Sequence, residues 1–200
     1  MFSYIRPYIF NIDPEAAHNL AIKSLKYNFL PESLFAVENE EILSMNLFGK
    51  SIKNPIGLAA GFDKSAEVYN QMFKLGFGFV EVGTVTPKKQ YGNPKPRIFR
   101  LEKDFALINR LGFNNDGSEA VKKRIENNLP KSLLGINTGP NKGTANMSED
   151  FLKCAETFFP LGDYITINIS SPNTEGLREF HKKDVLKELL SKINYIREGD

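Results

Sequence analysis

The chain has 200 residues, of which 41% are hydrophobic and 25% charged, a composition typical of folded globular proteins and unlike disordered or collagen-like chains. Its 26 Lys and Arg residues nearly balance 24 Asp and Glu residues, so we expect no nucleic acid partner. The single cysteine, Cys154, excludes an internal disulfide, and no apolar run reaches the roughly 18 residues of a membrane-spanning helix. We expect an intracellular protein without a secretory signal or metal site.

Residues 1–47 form the first predicted region, which is helical and apolar. Asp13 is a predicted N-cap and Pro14 the first helical residue that follows it. The preceding segment is rich in large apolar or aromatic residues, namely Phe2, Tyr4, Ile5, Tyr8, Ile9 and Phe10. These helices either dock on a core or form an amphipathic element that lies on a membrane surface or lines the mouth of a lipid-facing tunnel.

Residues 48–200 form the second predicted region, in which short apolar runs alternate with longer amphipathic ones. The runs predict strands at Ile56–Ala60, Phe79–Gly83, Leu133–Asn137 and Tyr164–Ile169, with a hairpin at Ile98–Leu101 and Ala106–Asn109. The amphipathic segments predict helices at Ser65–Leu75, ended by Gly76, and at Ser118–Asn128, Ser148–Phe159 and Asp184–Arg197. This order is typical of βα units and predicts an α/β fold with a parallel sheet.

The length of the second region limits the choice of architecture. A closed eight-stranded βα barrel takes about 250 residues. Only four βα units are predicted here, so the region is either half of a barrel or a small open sheet.

Polar residues follow each predicted strand, at the edge where parallel sheets carry their functional groups. Side-chain amides are frequent at these ends, while the GxGxxG and GxxxxGK[ST] phosphate-binding motifs are absent there. An amide offers donors and an acceptor without net charge, which suits a planar ligand such as a flavin or a pyrimidine. The amides are Asn109, Asn114, Asn115, Asn137, Asn168 and Asn173.

Few residues near the strand ends could transfer a proton. His18 and His181 lie away from these ends, and Cys154 falls within a predicted helix, where a buried, inert thiol is expected. Ser171, Lys64 and Asp63 remain, and spacing alone does not choose among them.

Five ordered motifs resemble those of the dihydroorotate dehydrogenase family. They are NPIGLAAGFDK at 54–64, EVGTVTP at 81–87, NRLGFNN at 109–115, GIN at 135–137 and NISSPNTEGLR at 168–178. The helix beginning DPEAAH at Asp13 resembles the extension of the membrane-associated, quinone-reducing class. Ser171 points the same way, since the soluble class carries a cysteine there.

The resemblance implies an FMN-containing (β/α)8 TIM barrel that oxidises (S)-dihydroorotate to orotate in pyrimidine synthesis and passes electrons to a quinone. It implies peripheral contact with the cytoplasmic side of the cell membrane, or with the inner mitochondrial membrane in a eukaryote. Position by position, Ser171 would be the catalytic base. The implied FMN contacts are Ala60, Gly61, Phe62, Asp63, Lys64, Thr84, Asn137 and Asn168. The implied substrate contacts are Lys64, Asn109, Arg110, Leu111, Gly112, Phe113, Asn168 and Asn173.

The resemblance also implies four further strands, with the loops that hold the FMN phosphate. The 200 residues alone are therefore expected to bind FMN weakly or not at all and to be inactive. Two alternatives are another flavin barrel acting on pyrimidine rings, similar to dihydropyrimidine dehydrogenase or dihydrouridine synthase, and a non-catalytic half-barrel that assembles with a partner.

Overall fold

Two helices open the chain in the computed structural model, which describes residues 2–29, 40–172 and 174–199. Helix α1 spans Phe2–Phe10 and helix α2 spans Pro14–Lys26. The predicted start of α2 is confirmed, because the Asp13 carboxylate accepts hydrogen bonds from the backbone amides of Glu15 and Ala16.

A small antiparallel hairpin follows, which the sequence analysis did not predict. It consists of β1 (Met45–Leu47) and β2 (Lys50–Ile52), and it crosses the predicted region boundary between residues 47 and 48. At its tip the Phe48 ring lies 5.3 Å from the ring of Tyr164, and Lys50 forms a 2.7 Å ion pair with Asp163. The hairpin therefore packs against the start of the fourth predicted strand.

The rest of the chain alternates strands and helices as predicted. In chain order the elements are β3 (Gly57–Leu58), α3 (Tyr69–Lys74), β4 (Phe79–Val85), β5 (Ile98–Leu101), β6 (Ala106–Asn109), α4 (Ser118–Asn127), β7 (Leu133–Thr138), α5 (Met147–Phe158), β8 (Tyr164–Ile167) and α6 (Lys183–Gly199). Short 3-10 turns occur at Glu41–Leu43, Glu102–Asp104 and Leu177–His181. Strands β5 and β6 form the predicted hairpin, with the predicted bounds.

One parallel sheet organises this α/β region. Its strand order is β3-β4-β7-β8, so strands that are consecutive along the chain, apart from the inserted hairpin, are also neighbours in space. All four strands end at the same edge of the sheet, which is the edge where the predicted site residues follow them.

The two faces of the sheet differ sharply in chemistry. One face is mainly apolar and packs under α3, α4 and α5, with a core that includes Val80, Val82, Leu134, Ile136, Met72, Val121, Ile125, Cys154 and Phe158. Burial raises the pKa of the Cys154 thiol to about 12, so this thiol is inert, as predicted. The opposite face carries the polar side chains of Glu81, Asn137 and Thr166.

Three predicted elements were too long. The predicted helix Ser65–Leu75 begins only at Tyr69, because the Asp63 carboxylate binds the backbone amides of Glu67 and Val68 and Ala66 adopts φ +54°. The first strand is limited to Gly57–Leu58. The fourth strand ends at Ile167, because the Asn168 side chain accepts from the Ser170 amide and turns the chain.

Candidate functional site

A cleft of about 450 Å³ opens where the parallel strands end. It gathers many of the predicted site residues from five separate segments of the chain. Those that line it are Ala60, Gly61, Lys64, Thr84, Asn109, Leu111, Gly112, Phe113, Asn137, Asn168 and Ser171. Ala59, Glu81, Ser170 and Pro172 also line it and were not predicted.

Thr84, Asn137 and Asn168 form a hydrogen-bonded cluster on one wall of the cleft. The Thr84 hydroxyl donates to Asn137 Oδ1 at 2.6 Å, and Asn168 Nδ2 donates to Thr84 Oγ1 at 3.0 Å. Asn168 Nδ2 also lies 3.2 Å from Asn137 Oδ1. These three residues come from the ends of adjacent strands, so the parallel register places them side by side. We call them the amide cluster.

Glu81 lies one layer below the amide cluster, inside β4. Its Oε1 accepts from Asn137 Nδ2 at 2.9 Å, and its Oε2 accepts from the hydroxyls of Tyr164 and Thr166, each at 3.0 Å. Burial and the charge of Glu81 raise the pKa of Tyr164, so its hydroxyl stays protonated and donates. A charge within the apolar run FVEV was the sequence signal for this residue.

Among the described residues, Lys64 is the one cationic side chain that lines the cleft. Its Nζ donates to the Gly61 carbonyl at 2.5 Å, which folds the side chain back over the loop after β3. Burial lowers the pKa of Lys64, and the Arg97 charge lowers it further, while Glu15 and Asp63 act in the opposite direction. An anionic ligand in the cleft would favour the charged form of Lys64, so this residue can offset such a ligand.

Asp63 and Phe62 lie next to Lys64 in sequence and face a different environment. The buried Asp63 carboxylate accepts from the amides of Glu67 at 2.8 Å and Val68 at 2.7 Å, and burial raises its pKa. The Phe62 ring packs edge-on against His18. Both line a second cleft, so the structure does not bring them to the wall formed by the amide cluster.

The segment at residues 109–113 also lines the cleft, and side-chain amides from the loop after β4 hold its backbone in place. Asn93 Nδ2 donates to the Arg110 carbonyl at 2.8 Å, and Gln90 Nε2 donates to the Gly112 carbonyl at 3.0 Å. The Arg110 guanidinium itself donates to the Pro96 carbonyl, so it is not among the residues that line the cleft.

Asn115 lies beneath this segment and is structural. It accepts from the amides of Thr86 and Gly117, and it donates to the Thr86 hydroxyl and to the Phe113 carbonyl.

Ser171 follows β8 and lies at the mouth of the cleft beside Ser170. The Ser170 amide and hydroxyl both approach Asn168 Oδ1 at 3.2 Å, which ties this loop to the amide cluster. His181 Nε2 lies 2.9 Å from the Ile169 carbonyl and supports the loop from behind. Asn173 lies outside the described residues.

The second cleft, of about 560 Å³, runs between α2 and the loops after β3 and β4. Its α2 wall carries Glu15, His18 and Ile22. Burial and the nearby Lys64 charge lower the pKa of His18. Gly61, Lys64, Asn109 and Leu111 line both clefts, so the two clefts meet.

A buried ion pair fixes α2 over the second cleft. Arg97 is only 6% exposed, and its Nε and Nη2 donate to the two Glu15 oxygens at 3.0 and 2.5 Å. Its Nη1 donates to the Asn93 carbonyl at 3.0 Å. One guanidinium therefore links α2 to the loop that supports residues 109–113.

Two further features of the described residues bear on chemistry. Within the described ranges 2–29, 40–172 and 174–199, no helix is both long and apolar enough to cross a bilayer. Within these same ranges no cluster of three or more His, Cys, Asp or Glu side chains could hold a metal ion.

A parallel α/β sheet with a polar cleft at the carboxyl ends of its strands defines a ligand-binding α/β protein. The particular family follows from comparison with known proteins. A family model described as Dihydroorotate dehydrogenase matches residues 42–197. The chain therefore belongs to the dihydroorotate dehydrogenase family, which is flavin-dependent.

Relatives and solved structures agree with this assignment. A protein of Rhodopseudomonas palustris (strain TIE-1) named dihydroorotate dehydrogenase (quinone) is 48% identical over 188 residues, covering 94% of this chain and 51% of the relative. A protein of the same name from Bartonella henselae is 49% identical over 192 residues, covering 96% and 52%.

A DHODH crystal structure from Eimeria tenella in complex with ferulenol superposes with a TM-score of 0.86 at 43% identity, covering 94% of this chain and 52% of that one. The chain spans about half the length of the curated relatives it matches.

Proposed function

We propose that this chain forms the first half of an FMN-binding (β/α)8 barrel that oxidises (S)-dihydroorotate to orotate in de novo pyrimidine synthesis, with a quinone as the final electron acceptor. The observation that carries the proposal is the convergence of all five motif segments on one cleft. Gly61, Thr84, Asn137 and Ser171 are far apart in sequence and line the same space. Family membership supports dihydroorotate as the substrate rather than another pyrimidine.

The residues of the cleft fit a flavin ring. The second N–H of Asn137, the Asn109 amide and the Lys64 ammonium are donors that line the cleft, which suits a planar ring edged with carbonyl groups. Thr84, Asn137 and Asn168 would hold the ring, with the backbone of Ala60 and Gly61 at its edge. When bound, FMN supplies a hydride acceptor.

The substrate would lie between the amide cluster and residues 109–113. Lys64 offsets the charge of the dihydroorotate carboxylate, and Asn109 and Asn168 bind its ring amides. Ser171 takes the proton from C5 while hydride leaves C6. A serine is a weak base, so its role depends on concerted loss of the hydride and on removal of its own proton to solvent or a neighbour.

The second cleft would receive the quinone. It meets the first cleft at Lys64 and Asn109, and its outer wall is α2. Helix α1 exposes Tyr4 and Tyr8, at 81% and 75%, as expected for an aromatic surface that rests on lipid headgroups. The exposed tyrosines support contact with lipid, and we infer a peripheral position on the cytoplasmic side of the cell membrane, or on the inner mitochondrial membrane in a eukaryote.

A chimera tests the chemical part of the proposal. Residues 1–200 are joined to the C-terminal half of the Rhodopseudomonas palustris relative, and FMN bleaching by dihydroorotate is followed without oxygen. We expect bleaching in the chimera and a loss of rate of about a hundredfold or more in its Ser171→Ala variant. Ser170→Ala, the neighbouring control, should lose far less. No bleaching in a chimera that binds FMN, or equal loss in both variants, would contradict the proposal.

The quinone part is tested by removing residues 1–39 from the same chimera. We expect loss of quinone reduction and of cosedimentation with anionic lipid vesicles, while FMN bleaching by dihydroorotate continues. If both half-reactions fall equally, the N-terminal segment has no specific role toward the quinone.

A further inference from the structure

The amide cluster is polarised by its own hydrogen bonds. Asn137 Oδ1 accepts from Thr84 and from Asn168, and Asn168 Oδ1 accepts from the Ser170 amide and hydroxyl. Each of these carbonyl oxygens has two lone pairs, so its accepting capacity is used within the protein. Asn137 Nδ2 has two hydrogens, and in the part of the chain that the structure describes only one finds an acceptor.

That acceptor is Glu81, which lies in the interior of β4 and below the cluster. An amide can turn by 180° with little steric change, so its orientation depends on its partners. Because a carboxylate only accepts, Glu81 requires the nitrogen of Asn137 to point down, and the Asn137 oxygen then faces Thr84 and Asn168.

Glu81 is itself held in place from two sides. Tyr164 and Thr166 donate to its second oxygen, and the Tyr164 ring crosses the position of Gly135 to reach it. A Cβ at Gly135 would overlap that ring, so the absence of a side chain at this position lets the ring reach Glu81. The carboxylate is thus fixed in position before any ligand arrives.

We infer that Glu81 is a positioning residue that sets the orientation of the Asn137 amide, so that the second N–H of Asn137 faces the cleft and selects a carbonyl oxygen on the ligand edge. The inference deepens the proposed function and rests on it for the identity of the ligand, FMN. Glu81 acts through Asn137 and through an acceptor atom rather than through its charge.

Two substitutions separate the acceptor from the charge. Glu81→Gln removes the charge and keeps one acceptor oxygen for Asn137, since its own NH₂ group can donate to the hydroxyls of Tyr164 and Thr166. Glu81→Met has a similar length and no comparable acceptor. Thr166→Val is the matched control, because it removes one donor from Glu81 and leaves Asn137 paired.

Two measurements are made on the chain and its variants: the ¹⁵N–¹H signals of the Asn137 side-chain amide, assigned by Asn137→Asp, and the dissociation constant for FMN. We expect Glu81→Met to shift the amide signals strongly and to weaken FMN binding about tenfold. Glu81→Gln and Thr166→Val should keep the wild-type amide pattern and bind FMN within about threefold of wild type.

Each outcome decides the inference. Wild-type amide signals and affinity in Glu81→Met would overturn it, and so would equal weakening in Glu81→Gln and Glu81→Met, which would assign the effect to charge. If the wild-type chain binds no FMN, the amide signals alone decide the orientation, while the proposed function is judged separately by the chimera.

Discussion

Side-chain amides at the strand ends serve two different purposes. Asn137 and Asn168 line the cleft, whereas Asn115 is buried and satisfies the backbone of its own loop. The sequence placed all three near the ends of strands and could not separate them, because that distinction depends on which neighbours each amide meets. Asn within the apolar runs LGIN and ITIN was the better signal, since a turn does not require an amide there.

The burial of Lys64 predicts that orotate affinity depends on pH. Its lowered pKa means that the ammonium loses its proton at a lower pH than an exposed lysine does. In the chimera, orotate affinity should therefore fall as pH rises through this lowered pKa. Lys64→Arg keeps its charge throughout, so its affinity should show no such fall. Orotate binding to the chimera and to its Lys64→Arg variant is measured by the change in flavin absorbance, from neutral to alkaline pH. If the affinities of the two proteins change with pH in the same way, Lys64 is excluded as the counter-charge.

We predict that Asp63 contributes to the stability of the fold rather than to ligand binding in the cleft. Its two oxygens bind the amides of Glu67 and Val68, and Val68 is fully buried. Asp63→Ala leaves both amides without this acceptor and should lower the free energy of unfolding by about 2–4 kcal/mol. Asp63→Asn keeps one acceptor and should cost about half as much. Urea denaturation measures the difference, and equal losses would mean that the amide bonds do not matter.

At the scale of elements, hydrophobic periodicity predicted most helices and strands of the α/β region. It missed local features that depend on the hydrogen bonds of one side chain. Helix α4 matches its predicted bounds within one residue, because Val121 and Ile125 recur on the face that packs into the core. The β5–β6 hairpin matches its predicted bounds as well, and its two strands pair without interruption. Helix α3 is short because Asp63 competes with the helix for backbone amides. The β1–β2 hairpin has three-residue strands with few buried positions, so no alternation was visible in the sequence.

The attachment of α2 depends on pH through the Glu15–Arg97 pair. Hydrogen bonds from Arg97 lower the pKa of Glu15 below its usual value of 4.5. A lowered carboxyl pKa stabilises the fold above the unfolded-state value, and this contribution is lost as pH falls through the folded-state value. At neutral pH, Glu15→Gln should lower the free energy of unfolding by about 1–3 kcal/mol, and this difference should shrink in acid.

A second ion pair between α2 and the same body provides the control. Lys26 and Glu67 lie 2.8 Å apart with side chains 42% and 28% exposed. Glu67→Gln should therefore cost only about 0–1 kcal/mol. Denaturation curves of both variants at neutral and acid pH give the comparison, and a larger loss in Glu67→Gln would refute the role assigned to Arg97.

At the scale of the whole molecule, the parallel sheet has two open edges. Within the described ranges, β3 and β8 each pair with one neighbour, so one side of β8 keeps its backbone donors and acceptors unpaired by another strand. Helix α6 beside it exposes Val185, Leu190 and Tyr195. Unpaired strand edges next to apolar side chains favour association with other chains.

We therefore predict that the 200-residue chain self-associates reversibly, whereas the chimera does not share this behaviour. In the chimera, the relative's C-terminal half would pair with β8 and cover α6, so the same surface would lie within one barrel. Sedimentation velocity over a range of concentrations should show a rising average mass for the chain and a lower, nearly constant association state for the chimera. A monodisperse monomer of the chain that retains FMN would contradict both this prediction and the half-barrel on which it rests.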